Sequence, residues 1–211
     1  EFNKSNQDGL FDVVFSNPPF SGKVSGKEKL SAFELFQYQL QGKLNTDEDE
    51  DNSEGDSKKK SKKNVKSMKR DILFLERCVQ LLKPGGRMAV ILPQGNFNNI
   101  GTEILREWLM TKGTILGVIG LHENTFKPFT GTKTSVLFFK KRAKEEISKN
   151  DYNIFMAVSE KSGKDNSGNY IFLKNKNGDF VNREGNLLND GEKPVMDEDL
   201  HLIVQEFNSF K

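Results

Sequence analysis

The chain has 211 residues, with 32 basic and 30 acidic side chains, one cysteine and two histidines. A single cysteine excludes a disulfide framework. Because cysteines and histidines are so few, a zinc site is not expected either, and we expect no metal. No apolar run is long enough to cross a membrane and the chain does not open on a signal peptide, so a cytoplasmic protein is expected.

The charge is unevenly distributed, although the net value is only +2. Residues 71–144 carry 11 basic and 5 acidic side chains. A basic block of this kind suits a polyanionic partner, because contacts to phosphates supply most of the non-specific affinity for nucleic acid. A generic lysine-rich solvated surface accounts for the same charge equally well.

The first element in the chain is a short apolar run, Phe11–Ser16, whose β-branched and aromatic residues predict a buried strand. The strand is expected to end at Asn17, because Pro18 and Pro19 remove two backbone donors and fix two φ angles. The result is a rigid loop that presents the Asn17 amide, the Pro18 carbonyl and the ring of Phe20.

These three groups favour chemistry on an exocyclic amine. The Asn17 and Pro18 carbonyl oxygens together can accept both hydrogens of such an amine, while Phe20 stacks on the ring that carries it. Acceptors placed off the plane of that ring favour a more pyramidal nitrogen, whose lone pair is free to attack an electrophilic methyl group. No charged base is needed. The alternative is that the Pro-Pro pair forms an ordinary rigid turn.

Residues 30–44 have mixed apolar spacing and predict a short helix, and residues 45–70 are then rich in Asp, Glu and Lys. A segment of the latter composition cannot bury a core, so a disordered charged insertion is expected there. Two interpretations of this insertion are open. It either orders over bound DNA or is a disordered segment peculiar to this protein.

A helix is predicted to begin with Asp71 as its N-cap, because apolar residues recur after it at steps of three and four. Those residues are Ile72, Leu75, Val79 and Leu82, and Cys78 lies among them as a small core residue. Gly85 and Gly86 are interpreted as a left-handed cap of this helix rather than as a cofactor-binding turn, since they follow a helix and not a strand.

Residues 88–92 form a continuous apolar run typical of a buried parallel strand. The segment 93–97 then lies at the carboxyl end of that strand, on the same sheet edge as Asn17 if both strands run parallel. Ligands bind at that edge in open α/β sheets. A second helix is predicted over residues 102–112. Its inward residues are Leu105, Trp108 and Leu109, and for the tryptophan core packing is favoured over base stacking.

Residues 115–121 and 134–140 predict two further strands, which should be antiparallel because the loop 122–133 is too short for a crossover helix. Phe126 and Phe129 in this loop offer the π-face on which a base extruded from a duplex can stack. The alternative for either ring is that it only anchors the loop. Lys127 and Lys133 lie beside the rings, and His122 is assigned a hydrogen-bonding role in the loop.

After residue 143 the pattern weakens. Residues 152–158 and 170–173 predict strands. Residues 197–210 predict a capped amphipathic helix that carries Leu200, Ile203, Val204 and Phe207. This part either forms a partner-binding extension or packs against the preceding domain.

The Asn-Pro-Pro-Phe sequence at residues 17–20, placed after an apolar strand, resembles the catalytic motif of the S-adenosylmethionine-dependent amino-methyltransferases that modify adenine in DNA. Residues 83–93 (KPGGRMAVILP) and 126–139 (FKPFTGTKTSVLFF) are similar to later motifs of the modification subunits of type I restriction systems. The resemblance covers approximately residues 10–142.

The resemblance implies an α/β fold, with part of a Rossmann-like methyltransferase sheet whose parallel strands end in an antiparallel hairpin. In that family the main S-adenosylmethionine motif precedes the Asn-Pro-Pro-Phe loop, so we expect a fragment that is inactive in isolation. Residues 1–144 are then the C-terminal half of the catalytic domain, and residues 145–211 continue it.

The resemblance also implies roles for individual residues. Asn17, Pro18, Pro19 and Phe20 would be catalytic, and Asn17 would also line the edge of the cofactor pocket. Phe126 would stack on the target base, with Phe129 as a substitute, and Lys127 and Lys133 would contact DNA. The implied partners are double-stranded DNA and the specificity and restriction subunits.

Two alternatives stay open from the sequence. The first is a non-catalytic DNA-binding or assembly subunit that keeps the fold. The second is a methyltransferase acting on a protein glutamine or on RNA, because those enzymes also use an Asn-Pro-Pro aromatic loop. The intact loop favours an enzyme over a scaffold.

Overall fold

A computed structural model describes residues 9–40, 67–143 and 151–210. In chain order its elements are β1 (Phe11–Ser16), β2 (Lys23–Ser25), α1 (Lys27–Leu30), α2 (Glu34–Leu40), β3 (Ser67–Lys69), α3 (Arg70–Leu81), β4 (Leu82–Pro93), α4 (Gly95–Asn98), a 3-10 turn (Ile100–Thr102), α5 (Glu103–Lys112), β5 (Gly113–Gly120), β6 (Thr134–Lys141), β7 (Phe155–Val158) and α6 (Leu200–Ser209).

Five of the strands form one mixed sheet in the order β1-β4-β6-β5-β7, and β2 pairs with β3 in a separate ribbon. β1 and β4 are parallel, with Ser16 opposite Val90. The strand predicted over Phe11–Ser16 is present, but its predicted burial is wrong, because none of its residues is buried and β1 is an edge strand among the described residues. β5 and β6 run in opposite directions. At one end of their hairpin, the Leu121 N–H donates to the Thr134 carbonyl oxygen (2.9 Å). The predicted α/β architecture, with parallel strands followed by an antiparallel hairpin, is confirmed.

The chain divides into two compact units that are interleaved in sequence. The first unit comprises Glu1–Gly117 and Leu137–Ile154, and the second comprises Val118–Val136 and Phe155–Lys211. The boundary between them falls within β5 and β6, whereas the division predicted from the sequence lies after residue 144.

The pairing of β1 with β4 contains an irregularity near its start. Phe11 lies opposite Leu82, but Val13 lies opposite Arg87. An advance of two residues along β1 therefore corresponds to an advance of five residues along β4. The extra residues of β4 form a bulge. The regular pairing that follows aligns the two strands as far as their carboxyl ends.

The glycines of the bulge are not a helix cap, and that expectation is wrong. α3 ends at Leu81 with its C-cap residue in an extended conformation. Gly85 has a φ of 81° within the bulge. Gly86 passes close to β1, since an added Cβ would lie 3.0 Å from the Asp12 carbonyl oxygen. Gly86 therefore serves the close approach of two strands, whereas Gly85 supplies the positive φ of the bulge.

α3 begins two residues earlier than predicted, at Arg70, because its N-cap is Lys69 rather than Asp71. Asp71 lies inside the helix and is buried. The apolar stripe is confirmed for Ile72, Leu75, Cys78 and Val79, which α3 buries, whereas Leu82 lies outside the helix as the first residue of β4. Burial raises the pKa of the Cys78 thiol, as expected for a core residue rather than a nucleophile.

Glu76 anchors α2 to α3 through a buried carboxylate. Its oxygens accept hydrogen bonds from the Glu34 N–H (2.6 Å) and the Leu35 N–H (2.9 Å) at the start of α2. The side chain is fully buried, and burial raises its pKa. This contact joins residues that are 41 and 42 apart in sequence.

The remaining elements predicted for the first unit agree only in part with the structure. The helix predicted over residues 30–44 is instead two short helices, α1 and α2, and residues 41–44 lie outside the described part of the chain. The predicted insertion over residues 45–70 is wrong at its end, because Ser67–Lys69 forms β3 and pairs with β2. Residues 45–66 lie outside the described part. α5 is confirmed, with Leu105, Trp108 and Leu109 buried.

The second unit contains β7, α6 and several tight turns. The strand predicted over residues 170–173 is replaced by isolated bridges, such as Phe172 opposite Met196. α6 is present, and Phe207 packs edge-on against Phe155 of β7 at 5.2 Å. Its predicted inward face is only partly right, since Ile203 is buried but Val204 is exposed.

Candidate active site

The Asn-Pro-Pro-Phe loop leaves β1 at the carboxyl edge of the parallel pair. Pro18 is buried, whereas Asn17 and Pro19 are exposed and Phe20 is half-buried. The buried ring of Pro18 fixes the loop against the first unit, and the two proline φ angles limit its backbone. The Asn17 side chain is thus presented on a rigid support.

The chain beyond this loop is held by the start of α3. Gly22 has a φ of 96°, which favours glycine, and its carbonyl oxygen accepts a hydrogen bond from the Arg70 N–H (3.0 Å). Residues 23–25 then pair antiparallel with residues 67–69 in the β2–β3 ribbon. Both ends of the Asn-Pro-Pro-Phe loop are therefore anchored to regular structure.

The segment after β4 lies on the same edge of the sheet as Asn17, as predicted, because β1 and β4 are parallel. This segment is locked by a buried hydrogen bond from the Asn96 side-chain amide to the Asp71 carboxylate (2.7 Å). Sequence reasoning missed the pair, because each residue alone has an ordinary local explanation. Neither a cap motif nor helical spacing marks a contact between residues 25 apart.

The loop carries two hydrogen-bond acceptors that the described residues do not engage. Within the part of the chain that the structure describes, neither the Asn17 side chain nor the Pro18 carbonyl oxygen has a hydrogen-bond partner. One belongs to a neutral amide and the other to a backbone, so neither carries a charge. Together they can accept the two hydrogens of an amine.

The aromatic loop, residues 122–133, belongs to the second unit and joins β5 to β6. It is built from tight turns, with the N–H groups of Phe129 and Thr130 both donating to the Phe126 carbonyl oxygen (3.0 and 3.1 Å). The Phe129 ring is 92% exposed, whereas Phe126 is half-buried. The Phe129 side chain is therefore exposed to solvent, whereas the Phe126 side chain is partly covered.

The two lysines of this loop have different surroundings. Lys133 lies 3.5 Å from the Glu123 carboxylate in an exposed ion pair, which contributes little to stability. Lys127 is half-buried. His122 has the predicted hydrogen-bonding role, because its Nδ1 accepts a hydrogen bond from the Asn124 N–H (3.1 Å).

A second segment contacts the aromatic loop, and the sequence analysis did not predict it. The Lys164 ammonium donates to the carbonyl oxygens of Thr125 (3.1 Å) and Lys127 (3.0 Å). The Asn124 side-chain amide donates in return to the Lys164 carbonyl oxygen (3.3 Å). The sequence signal that could have marked this segment is the Asp-x-x-Gly turn after Lys164. Turns of related sequence recur later in the chain.

Some kinds of site find no support in the described residues. No group of three or more His, Cys, Asp or Glu side chains in that part of the chain is arranged to hold a metal ion. No helix among them is long and apolar enough to span a membrane.

A nucleotide-type cofactor has a partial fit to the chain. Such a cofactor is held by a glycine-rich turn between a strand and a helix. β1 leads instead into the Asn-Pro-Pro-Phe loop, and β4 leads into Gln94 and Gly95. The strand ends in the described residues therefore provide no glycine-rich cradle for a nucleotide.

The chain is similar to known methylases in sequence. The sequence profile described as N-6 DNA Methylase matches residues 1–183. A relative described as the type I restriction enzyme EcoEI methylase subunit of Escherichia coli is 30% identical over 139 residues. That match covers 65% of this chain and 22% of the relative.

Solved structures give the same picture. The type I restriction-modification methyltransferase subunit of Streptococcus thermophilus matches with a TM-score of 0.54 and 25% identity, over 100% of this chain and 34% of that one. A modification subunit from Vibrio vulnificus shares the fold, with a TM-score of 0.50 and 15% identity over 96% and 32%. The chain spans about a fifth to a third of these relatives. Because the family profile covers well over half of its residues, the chain belongs to the N-6 DNA methylase family.

Proposed function

We propose that the protein containing this chain transfers a methyl group from S-adenosylmethionine to the exocyclic amine of adenine in duplex DNA, as the methylase subunit of a restriction-modification system. The observation that carries the proposal is the pair of unpartnered acceptors on Asn17 and Pro18, on a rigid loop at the carboxyl edge of parallel strands. Family membership supplies the acceptor class, because the family is described by methylation at N-6.

The chemistry follows from those two acceptors. S-adenosylmethionine, when bound, would supply an electrophilic methyl group, whose bond to sulfur breaks as its bond to the amine nitrogen forms. The Asn17 Oδ1 and the Pro18 carbonyl oxygen accept the two hydrogens of the adenine amine and orient its lone pair toward that carbon. Phe20 stacks on the adenine ring. The proton released from nitrogen passes to water, since neither acceptor is basic enough to keep it.

The target adenine must leave the duplex to reach this loop. Phe126 and Phe129 offer faces on which the extruded base can stack, and the exposure of Phe129 supports this role. Lys127 and Lys133 provide positive charge for the DNA backbone. The specificity and restriction subunits are the proposed protein partners, because the relatives named above are subunits of type I systems.

The isolated chain is proposed to be inactive. Of the cofactor site it supplies the edge formed by Asn17, and the described residues contain no glycine-rich turn leading from a sheet strand to a helix. Binding of the cofactor is therefore expected to need parts of the protein that these residues do not include.

The test is transfer of labelled methyl from S-adenosylmethionine to duplex DNA by the full-length protein with its partner subunits. Asn17→Ala removes one transition-state hydrogen bond and is expected to lower the rate about 100-fold or more. Asn98→Ala is the matched control, since Asn98 is an exposed asparagine on α4 after β4. It is expected to keep the full rate.

Each outcome separates the alternatives. Label on adenine that is lost in Asn17→Ala supports the proposal. Label on RNA or on a protein glutamine overturns the DNA assignment and keeps the loop chemistry. If no acceptor is labelled, the protein is a scaffold that keeps the fold, and the proposed catalysis is wrong.

A further inference from the structure

Lys164, which lies outside the aromatic loop of the second unit, is hydrogen-bonded to the backbone of that loop. Lys164 is half-buried, and its ammonium donates to two carbonyl oxygens of the loop, those of Thr125 at 3.1 Å and Lys127 at 3.0 Å. Hydrogen bonds from a charged donor are about twice as strong as those between neutral groups. Both acceptors flank Phe126, so this lysine fixes the backbone on either side of that ring.

Two further residues, Asn124 and Gly168, complete the attachment. Asn124 is 5% exposed, and its amide donates to the Lys164 carbonyl oxygen (3.3 Å) and to the Asn166 side chain (3.1 Å). Gly168 packs directly against the loop backbone, since an added Cβ would lie 2.6 Å from the Pro128 nitrogen. We call residues 164–168 the brace.

The brace belongs to a turn that the chain repeats. In each copy a side-chain oxygen of Asp or Asn accepts the backbone N–H groups two and four residues later, and a glycine with positive φ lies three residues later. The first residues of the three copies are Asp165, Asn175 and Asn182, and the glycines are Gly168, Gly178 and Gly185.

The second copy reproduces the local features of the first without its contacts to the loop. Lys164 lies 5.6 Å from the Tyr170 ring centroid, and Lys174 lies 4.8 Å from that of Phe180. Gly168 and Gly178 have φ values of 91° and 92°. An added Cβ at Gly178 would meet no atom within 4 Å. The chain therefore contains its own matched controls.

We propose that Lys164 and Gly168 are positioning residues for the target base, which hold the aromatic loop in the shape that lets Phe126 and Phe129 stack on the extruded adenine. This inference rests on the proposed function. The lysine acts through the loop backbone, because its ammonium is engaged with two carbonyl oxygens.

The first measurement is amide hydrogen exchange in the full-length protein. The N–H groups of Thr125, Lys127, Phe129 and Thr130 are hydrogen-bonded within the loop. Lys164→Met and Gly168→Ala are expected to speed their exchange by roughly 10- to 100-fold, the equivalent of losing charge-assisted hydrogen bonds. Lys174→Met and Gly178→Ala should leave it unchanged. Gly178→Ala loses the same backbone freedom as Gly168→Ala, so the comparison isolates the contact with the loop.

The second measurement is base extrusion by the same variants. The full-length protein with its partner subunits is mixed with a duplex in which 2-aminopurine replaces the adenine that the unmodified enzyme methylates. The brace variants are expected to lose most of the fluorescence rise, with DNA affinity nearly unchanged. On the corresponding adenine duplex, their kcat for methylation is expected to fall about tenfold. Lys164→Arg keeps the cation and should restore part of both signals. Circular dichroism verifies that each variant is folded.

The outcomes are distinct. Faster exchange with normal extrusion overturns the positioning role and leaves the brace a structural support. Exchange that matches the controls overturns the brace itself, even if the unmodified enzyme methylates DNA. An unmodified enzyme that labels no DNA overturns the proposed function and the positioning role together, while the exchange result still reports whether the brace holds the loop.

Discussion

At the scale of single residues, Asp199 shows how one side chain joins two elements. Its carboxylate accepts hydrogen bonds from the Ser159 hydroxyl (2.6 Å) and from the N–H groups of Glu160 (2.7 Å) and Lys161 (3.2 Å). The donors follow β7, and Asp199 directly precedes α6. Partial burial acts to raise the pKa of Asp199, but these hydrogen bonds outweigh it, so the pKa lies below its ordinary value of 3.8.

The sign of this shift gives a prediction about pH. A lowered folded-state pKa contributes stability that is present above pH 3.8 and is lost as the pH falls through the folded-state value. At neutral pH, the melting temperature of Asp199→Asn should therefore be lower than that of the unmodified chain. As the pH is lowered from about 5 through the folded-state pKa of Asp199, the melting temperature of Asp199→Asn should fall less than that of the unmodified chain. Thermal melts of both chains, from neutral pH down through the folded-state pKa, measure these two differences in melting temperature.

The control for this experiment is Asp190→Asn. Asp190 is exposed, and its carboxylate has no hydrogen bond within the described residues. A melting curve for Asp190→Asn should follow the unmodified chain at every pH. If Asp199→Asn also follows it, the three hydrogen bonds do not stabilise the folded state.

At the scale of elements, the start of β5 depends on a glycine for space rather than for backbone freedom. Gly113 has an extended backbone with a φ of 175°. A Cβ built there would lie 2.1 Å from the Lys140 carbonyl oxygen and 2.6 Å from the Phe139 ring, both on β6. Contacts this short force the two strands apart, so the close approach of β5 and β6 requires glycine at this position.

Gly113→Ala is expected to lower the free energy of unfolding by about 1–3 kcal/mol, the usual cost of overpacking. Gly120→Ala is the matched control at the other end of β5, where the nearest atom to an added Cβ is a Val158 methyl at 3.5 Å. It should change stability by less than about 0.5 kcal/mol. Urea unfolding of both variants measures the difference, and equal midpoints would contradict the packing argument.

At the scale of the whole molecule, the sheet has an open edge at β1. In the described part of the chain β1 pairs with β4 on one side and with no strand on the other. Phe11, Val13 and Phe15 project from it with exposed fractions of 49%, 54% and 80%. An unpaired strand that carries a row of apolar side chains is a template for pairing with another chain.

The isolated chain is accordingly expected to self-associate through β1. Phe15→Lys places a charge on that edge and should shift the sedimentation profile toward monomer at the same concentration. Phe129→Lys is the control, because Phe129 is at least as exposed but lies in a loop. If both substitutions reduce association equally, general hydrophobicity rather than the strand edge drives it.

Much of the fold could be predicted because its signals are local. The spacing of Leu105, Trp108 and Leu109 is enough to place them in the core, and the short loop after β5 is enough to reverse the next strand. Asp71 shows the limit of such reasoning. A local pattern cannot distinguish an N-cap from a carboxylate that is buried against Asn96, because the second role depends on a partner 25 residues away.

The sequence by itself determined the rigid Asn-Pro-Pro-Phe loop and the existence of a strand before it, because proline geometry and apolar runs act on neighbouring residues. Only the tertiary structure decided that the glycines after α3 form a strand bulge, that Glu76 anchors α2, and that Lys164 holds the aromatic loop. Each of these depends on groups brought together from distant parts of the chain. Packing and hydrogen bonding between such groups leave no periodic mark in the sequence.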